Sequence, residues 1–224
     1  MALILNIDTA TESASISLSK DGAPLLTLEN KEQKDHASWL HVAIGHLMED
    51  SGYSLQDIQA VAVTAGPGSF TGLRVGMATA KGFCYALRIP FITESSLKLM
   101  AFGAREQWRE QVQLLAPMID ARRMEVYTAL FTLQLEQKTP EMAMILEPDC
   151  FSKELLSDKV LFFGSGSKKW QSLLKSHNAF FADVSYDAGM LGVLAENKFN
   201  HGQFTDIISS EPAYIKEFYT HTKN

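Results

Sequence analysis

Two carboxylates and two glycine–serine turns are the groups of this chain best suited, by type and spacing, to handle a phosphate. Asp8 closes the apolar run 3–7, and Asp120 closes the apolar run 114–119. Farther along, the run 60–64 breaks into Gly66-Pro67-Gly68-Ser69, and the run 160–163 breaks into Gly164-Ser165-Gly166-Ser167. A carboxylate at a strand end can orient a metal-bound water. A glycine turn that opens a helix lets backbone N–H groups approach an anion, with Ser69 or Thr71 available as the helix cap. Asp8, Gly66, Gly68, Ser69, Asp120, Gly164 and Gly166 thus outline a nucleotide cleft.

The outline is incomplete, which makes the cleft vestigial. A phosphate cradle in the first hairpin needs glycine, but Asp8 is followed by Thr9-Ala10-Thr11-Glu12-Ser13, where Cβ atoms crowd the backbone and Glu12 repels phosphate. After Asp120 the segment Ala121-Arg122-Arg123-Met124-Glu125 is basic and also lacks glycine. Asp8 therefore has two readings, a metal-orienting carboxylate or a strand-end cap bonded to turn amides. His36, His41 and His46 are five residues apart, whereas a helical metal pair needs a separation of three or four. Cys84, between Phe83 and Tyr85, reads as a packed thiol rather than a nucleophile. Neither a Gly-x-Ser-x-Gly elbow nor a Gly-x-x-x-x-Gly-Lys-Ser/Thr loop occurs. No catalytic residue, metal or cofactor is expected.

The elements that would position these groups occur twice, in the same order. Strands are expected at 3–7, 13–18 and 25–28, with a hairpin turn at Asp21-Gly22. A helix follows through Leu40, Ile44, Leu47 and Met48, then the strand 60–64, a helix over 71–87, a strand at 90–92 and a helix from Ser95 or Ser96. The second half repeats this with strands at 114–119, 125–133, 142–146 and 160–163, a helix through Leu173 and Leu174, and a final helix of that lobe at 187–200. A duplicated α/β unit of this kind resembles the two ribonuclease-H-like lobes of the actin, sugar-kinase and Hsp70 superfamily. The lobes divide at 1–106 and 107–224.

Composition narrows the function classes. At 46% hydrophobic and 21% charged residues, the chain reads as an ordinary globular protein. A net charge of −6 argues against strong RNA or DNA binding by this chain alone, because phosphate neutralisation needs clustered Lys and Arg. Two distant cysteines, no signal-peptide pattern and no membrane-length apolar run point to the cytoplasm.

The expected helix 71–87 has an unusual stripe. Gly72, Gly76 and Ala80 fall four apart with Leu73 beside them, and glycine inside a helix costs about 1 kcal/mol relative to alanine. Such a stripe suits close packing, either within the chain or against a partner.

The block from Gly66 to Gly76, with Ile7-Asp8-Thr9 upstream and Ile119-Asp120-Ala121-Arg122-Arg123 and Glu125-Val126-Tyr127 downstream, closely resembles the TsaB (YeaZ) family. The similarity extends to Lys81-Gly82, Pro90, Ser95-Ser96-Leu97 and Pro212-Ala213-Tyr214-Ile215-Lys216, nearly end to end. This is the bacterial tRNA threonylcarbamoyladenosine biosynthesis family, similar to the catalytic paralogue TsaD. TsaD carries a metal-binding His-x-x-x-His after the corresponding proline, and residues 91–100 here contain no histidine. The resemblance implies a non-catalytic scaffold that pairs with TsaD, is joined by the ATPase TsaE, and meets tRNA only through the complex that modifies adenosine 37 of tRNAs reading ANN codons. It also implies homodimers through the same surface. His36, Leu40, His41, Ile44, Gly72, Leu73, Gly76, Thr79 and Ala80 are then the expected partner-binding residues. An ATP-dependent phosphotransferase and a metallopeptidase are the alternative readings.

Overall fold

Strict two-residue alternation sorts the apolar residues of the central strands onto opposite faces, so these strands are buried on both sides. In a computed structural model that describes residues 2–31 and 36–216, the first lobe comprises β1 (Leu3–Asp8), β2 (Ala14–Lys20), β3 (Ala23–Asn30), α1 (His36–Ser51), a 3-10 turn at Leu55–Asp57, β4 (Ala60–Gly66), α2 (Phe70–Leu87) and β5 (Phe91–Ser95). Its sheet has the order β3-β2-β1-β4-β5. The β2–β3 connection at Asp21-Gly22 takes positive φ at both residues, 54° and 78°, as a tight two-residue turn requires. Parallel β1 and β4 place Leu5 opposite Val61 and Ile7 opposite Val63. Those four side chains join Leu40, Ile44, Leu47, Met77 and Ala80 of α1 and α2 in one core.

The second lobe follows α3 (Ser96–Trp108) and contains β6 (Leu114–Asp120), β7 (Glu125–Thr128), β8 (Phe131–Thr132), β9 (Met142–Ile145), α4 (Glu154–Ser157), β10 (Val160–Phe163), α5 (Lys168–Gln171) and β11 (Ala179–Ala182). Its sheet has the order β11-β10-β6-β7-β9, with β8 beside β6. One face packs on Leu97, Met100, Ala101 and Ala104 of α3. On the other face Trp170 is fully buried among Phe151, Phe162 and Phe181.

Three expectations change. The run 125–133 is not one strand: β7 pairs with Met118–Asp120 and β8 with Leu114 and Leu115. The break falls opposite Pro117, which has no N–H for the ladder and whose carbonyl accepts from Thr128 Oγ1 at 2.8 Å. The helix through Leu174 shrinks to α5, anchored by Trp170, and Leu173 is left 48% exposed. Finally, α6 (Ala188–Asn200) does not close the second lobe. Its Leu191 and Ala195 pack with Ala2, Ile4, Ala60, Ala62 and Ile92 on the far face of the first sheet. That face of β1 and β4 is largely apolar, with Asn6 buried beside Gly192, and needs a cover, which the chain supplies only on its return.

Candidate functional site

The glycine turn between β4 and α2 is a socket for the first hairpin. The Gly66–Pro67 peptide is cis. A Cβ on Gly68 would stand 2.1 Å from the Ala10 carbonyl oxygen, and one on Gly72 would stand 2.0 Å from the Thr9 carbonyl oxygen. The Ser69 amide donates to Ala10 O at 2.7 Å, and Thr9 Oγ1 donates to Gly72 O at 2.7 Å. Ser69 Oγ in turn caps α2 by accepting from Gly72 N at 3.3 Å. The amide a phosphate would use is already bonded to backbone, and the space glycine opens holds a peptide unit.

Asp8 is 2% exposed at the end of β1. Its Oδ1 accepts from Thr64 Oγ1 at 2.7 Å and from Ala10 N at 3.1 Å. This is the strand-end arrangement, one carboxylate tying β1, β4 and the hairpin together. It lines a cavity of about 290 Å³ together with Thr11, Glu29 and Tyr186. Tyr186 Oη and Thr11 Oγ1 are 2.9 Å apart, and burial pushes the phenol well above its ordinary range.

Between the lobes lies a cleft of about 520 Å³. Ala10–Glu12 and Gly68–Thr71 line it from the first lobe, and Ile119–Arg122, Tyr127 and Ser165 from the second. Asp120 lines it, whereas Gly66, Gly164 and Gly166 do not. Gly164 has φ +92°, and a Cβ there would press on Met118 O at 2.6 Å; Gly166 N donates to the same oxygen at 2.9 Å. Asp120 Oδ1 accepts from Arg122 N at 2.6 Å and from Lys169 Nζ at 2.8 Å. Partial burial raises its carboxyl, but the Lys169 ammonium and the Arg122 amide outweigh that and hold it below the usual carboxylate range. Lys169 also bonds the carbonyls of Arg123 and Glu125, both at 2.7 Å, so one ammonium pins the hairpin in which Arg122 and Arg123 both have positive φ. Both glycine turns thus serve packing, and the second carboxylate serves the hairpin beside it. Among the described residues no three His, Cys, Asp or Glu side chains converge to hold a metal ion.

Sequence reasoning missed a charged cluster where the lobes meet. Glu94, 6% exposed, pairs with Lys198 at 3.1 Å and Lys98 at 3.7 Å. Next to it, Ser95 Oγ donates to Glu141 of the second lobe and caps α3 by accepting from Lys98 N. Burial, with the Glu94 charge adding to it, pushes the Glu141 carboxyl up; the Ser95 hydroxyl opposes this. A raised acid favours folding only while protonated, so stability falls as pH rises from the ordinary glutamate value of 4.5 through the folded one. Glu141→Gln keeps an acceptor for Ser95 and removes the charge. It is expected to be more stable than the parent at pH 7 by about 0.5 kcal/mol, with the difference vanishing near pH 4. Urea midpoints at the two pH values test this; a variant less stable at pH 7 would reverse the assigned cause.

The stripe on α2 faces inward. Leu40, Ile44, Gly72, Leu73, Gly76, Thr79 and Ala80 are all buried within the chain. A Cβ on Gly76 would meet Thr9 Oγ1 at 2.3 Å, so the small residues let α2 lie directly on the β1 turn. Of the expected partner residues only His41 is exposed among those described, and the His36 side chain lies outside the described residues. The outward side of the pair carries Val42, 59% exposed, and Tyr85, 81% exposed, with Gly82 and Ala78 one and two turns before it. Gly45 and Gly82 have nothing within 4 Å of an added Cβ. A helical wheel alone cannot tell which small stripe faces the sheet. Cys84 is fully buried; its S–H donates to Pro90 O at 3.3 Å and burial pushes the thiol up to about 12, so it is the packed thiol expected.

Comparison with known proteins places this geometry. The family model described as "TsaD: tRNA N6-adenosine threonylcarbamoyltransferase" matches residues 30–180. The chain is 32% identical to the tRNA threonylcarbamoyladenosine biosynthesis protein TsaB of Escherichia coli, over 95% of this chain and 94% of that one. A solved Pseudomonas aeruginosa protein described as similar to the peptidase YeaZ superposes with a TM-score of 0.80 at 27% identity, covering 96% of this chain and all of that one. A polyphosphate/ATP-glucomannokinase from Arthrobacter shares the fold, with a TM-score of 0.52 at 12% identity over 90% of this chain and 100% of that one. The two lobes are therefore those of the actin-like and sugar-kinase fold. No helix among the described residues is long and apolar enough to cross a membrane. Carboxylate-ended strands, glycine sockets and two ribonuclease-H-like lobes belong here to a member of the TsaB family of tRNA threonylcarbamoyladenosine biosynthesis proteins.

Proposed function

We propose that this chain is a non-catalytic, cytoplasmic subunit of the complex that makes N6-threonylcarbamoyladenosine at position 37 of tRNAs reading ANN codons. It docks on the catalytic paralogue TsaD, with TsaE as the ATPase of the assembly, and tRNA is met through the complex. The observation that carries this reading is the filled socket: Ser69 N is bonded to Ala10 O, and Gly68 and Gly72 sit against the peptide units of Ala10 and Thr9. A nucleotide phosphate at α2 would have to displace backbone. Asp8, likewise, is committed to Thr64 and Ala10.

Docking is assigned to the outward side of α1 and α2, around Val42, Gly45, Ala78, Gly82 and Tyr85. A large exposed aromatic beside exposed glycines offers an apolar anchor with little side chain to keep a second helix away. The same side suits pairing of two copies of this chain. Reconstitution with TsaD, TsaE, the threonylcarbamoyl-adenylate-forming enzyme and tRNA is expected to need this chain; full product without it would refute the reading. Gly82→Arg, at a position with open space, is expected to weaken association with TsaD at least about tenfold without lowering the unfolding midpoint. Unaltered association would remove this part of α2 from the interface.

A further inference from the structure

Residues 205–216 form no helix or strand, yet they run from the first sheet across α2 to the second lobe. Thr205 N donates to Phe91 O at 2.8 Å, and Ile207 packs into the first-lobe core. The Asp206 carboxylate then accepts from the amides of Ser209 and Ile208 at 2.7 and 3.1 Å, which folds the chain back toward α2. Along the flank of α2, Lys81 Nζ donates to Ser210 O and Arg74 Nε donates to Tyr214 Oη at 3.0 Å. The Arg74 guanidinium lies 3.9 Å from the Phe70 ring centroid, and the Phe70 and Tyr214 rings are 5.3 Å apart. Beneath them Ala213 N donates to Ala65 O at 2.7 Å, over Gly66, where a Cβ would stand 2.9 Å from Ala213 O. Two residues after Tyr214, Lys216 pairs with Glu125 at the start of β7 and lines the cleft.

The connection has almost no slack. From Tyr214, held on the first lobe, to Lys216, held on the second, the main chain spans at most about 7 Å. Opening the cleft beyond that span and the reach of the Lys216 side chain breaks one anchor. We propose that residues 205–216 are a strap that couples the N-terminal half of α2 to the 121–127 hairpin across the cleft, through Arg74, Tyr214, Lys216 and Glu125. A displacement at α2 then alters the far wall of the cleft without touching it. The coupling belongs to the chain alone and holds whether or not α2 meets TsaD.

Hydrogen exchange on the isolated full chain tests it. Lys216→Met should speed exchange of the 121–127 amides by about fivefold, because it removes the second-lobe anchor. Arg74→Ala lies on the other lobe and touches the strap at Tyr214; it should speed the same amides to a similar degree, and the double variant should be no faster than either single one. Tyr214→Phe keeps the ring and loses the bond to Arg74, so a smaller acceleration at 121–127 is expected. Amides of β1 and β4 serve as the internal reference and should be unchanged in all four variants. Unchanged exchange at 121–127 in Arg74→Ala, or fully additive effects in the double variant, would overturn the proposal.

Discussion

Gly72→Ala is expected to lower the unfolding free energy by about 3 kcal/mol, although alanine is the better helix former. The new Cβ would stand 2.0 Å from the Thr9 carbonyl oxygen, a backbone atom held by β1. Relief requires α2 to lift off the turn, which breaks the Thr9 Oγ1–Gly72 O bond and disturbs the Ser69–Ala10 bond beside it. Gly82→Ala, in the same helix, meets nothing within 4 Å and is expected to raise stability by about 0.5–1 kcal/mol. The opposite signs separate the inward and outward faces of one helix. Urea unfolding of the two variants followed by far-ultraviolet circular dichroism provides the check. Two changes of the same sign would mean that α2 does not sit on Thr9 as described. By the same geometry Gly76→Arg is a folding mutation rather than a docking probe.

Asp8→Ala should cost about 2–3 kcal/mol, since it strands a fully buried Thr64 hydroxyl and the Ala10 amide without their acceptor. Asp8→Asn retains an oxygen at the same place and should cost roughly half as much. A carboxylate kept for metal chemistry behaves differently: removing it leaves stability unchanged or raised and abolishes product. Reconstituted tRNA modification, measured well below the unfolding midpoint, is expected to survive both substitutions. Normal stability with lost product would favour the metal-orienting reading of Asp8.

Much of the architecture was legible because its signals are local. Apolar runs in β1, β4, β6 and β10 identified buried strands, Asp21-Gly22 identified its hairpin, and the run from Gly66 to Gly76 identified turn, cap and helix. Pro117 carried the information that would have split the run 125–133, since a residue without an N–H interrupts the ladder opposite it. No local signal marked Tyr186, Glu141 or Lys169, whose partners lie 175, 46 and 49 residues away. Neither could spacing assign α6 to a lobe, because its apolar side fits either sheet.

By itself the sequence determined the α/β class, the duplicated strand order, the socket-forming glycines and the family they belong to; each follows from residue type and short-range period. The tertiary structure alone decided what those glycines face. A missing Cβ says that something comes close, and only the packed chain shows that it is the Thr9–Ala10 backbone in place of a phosphate or a partner helix. It alone decided that residues 205–216 return across α2 to reach Glu125, since contacts between distant segments depend on how whole layers stack and not on any neighbour in the sequence.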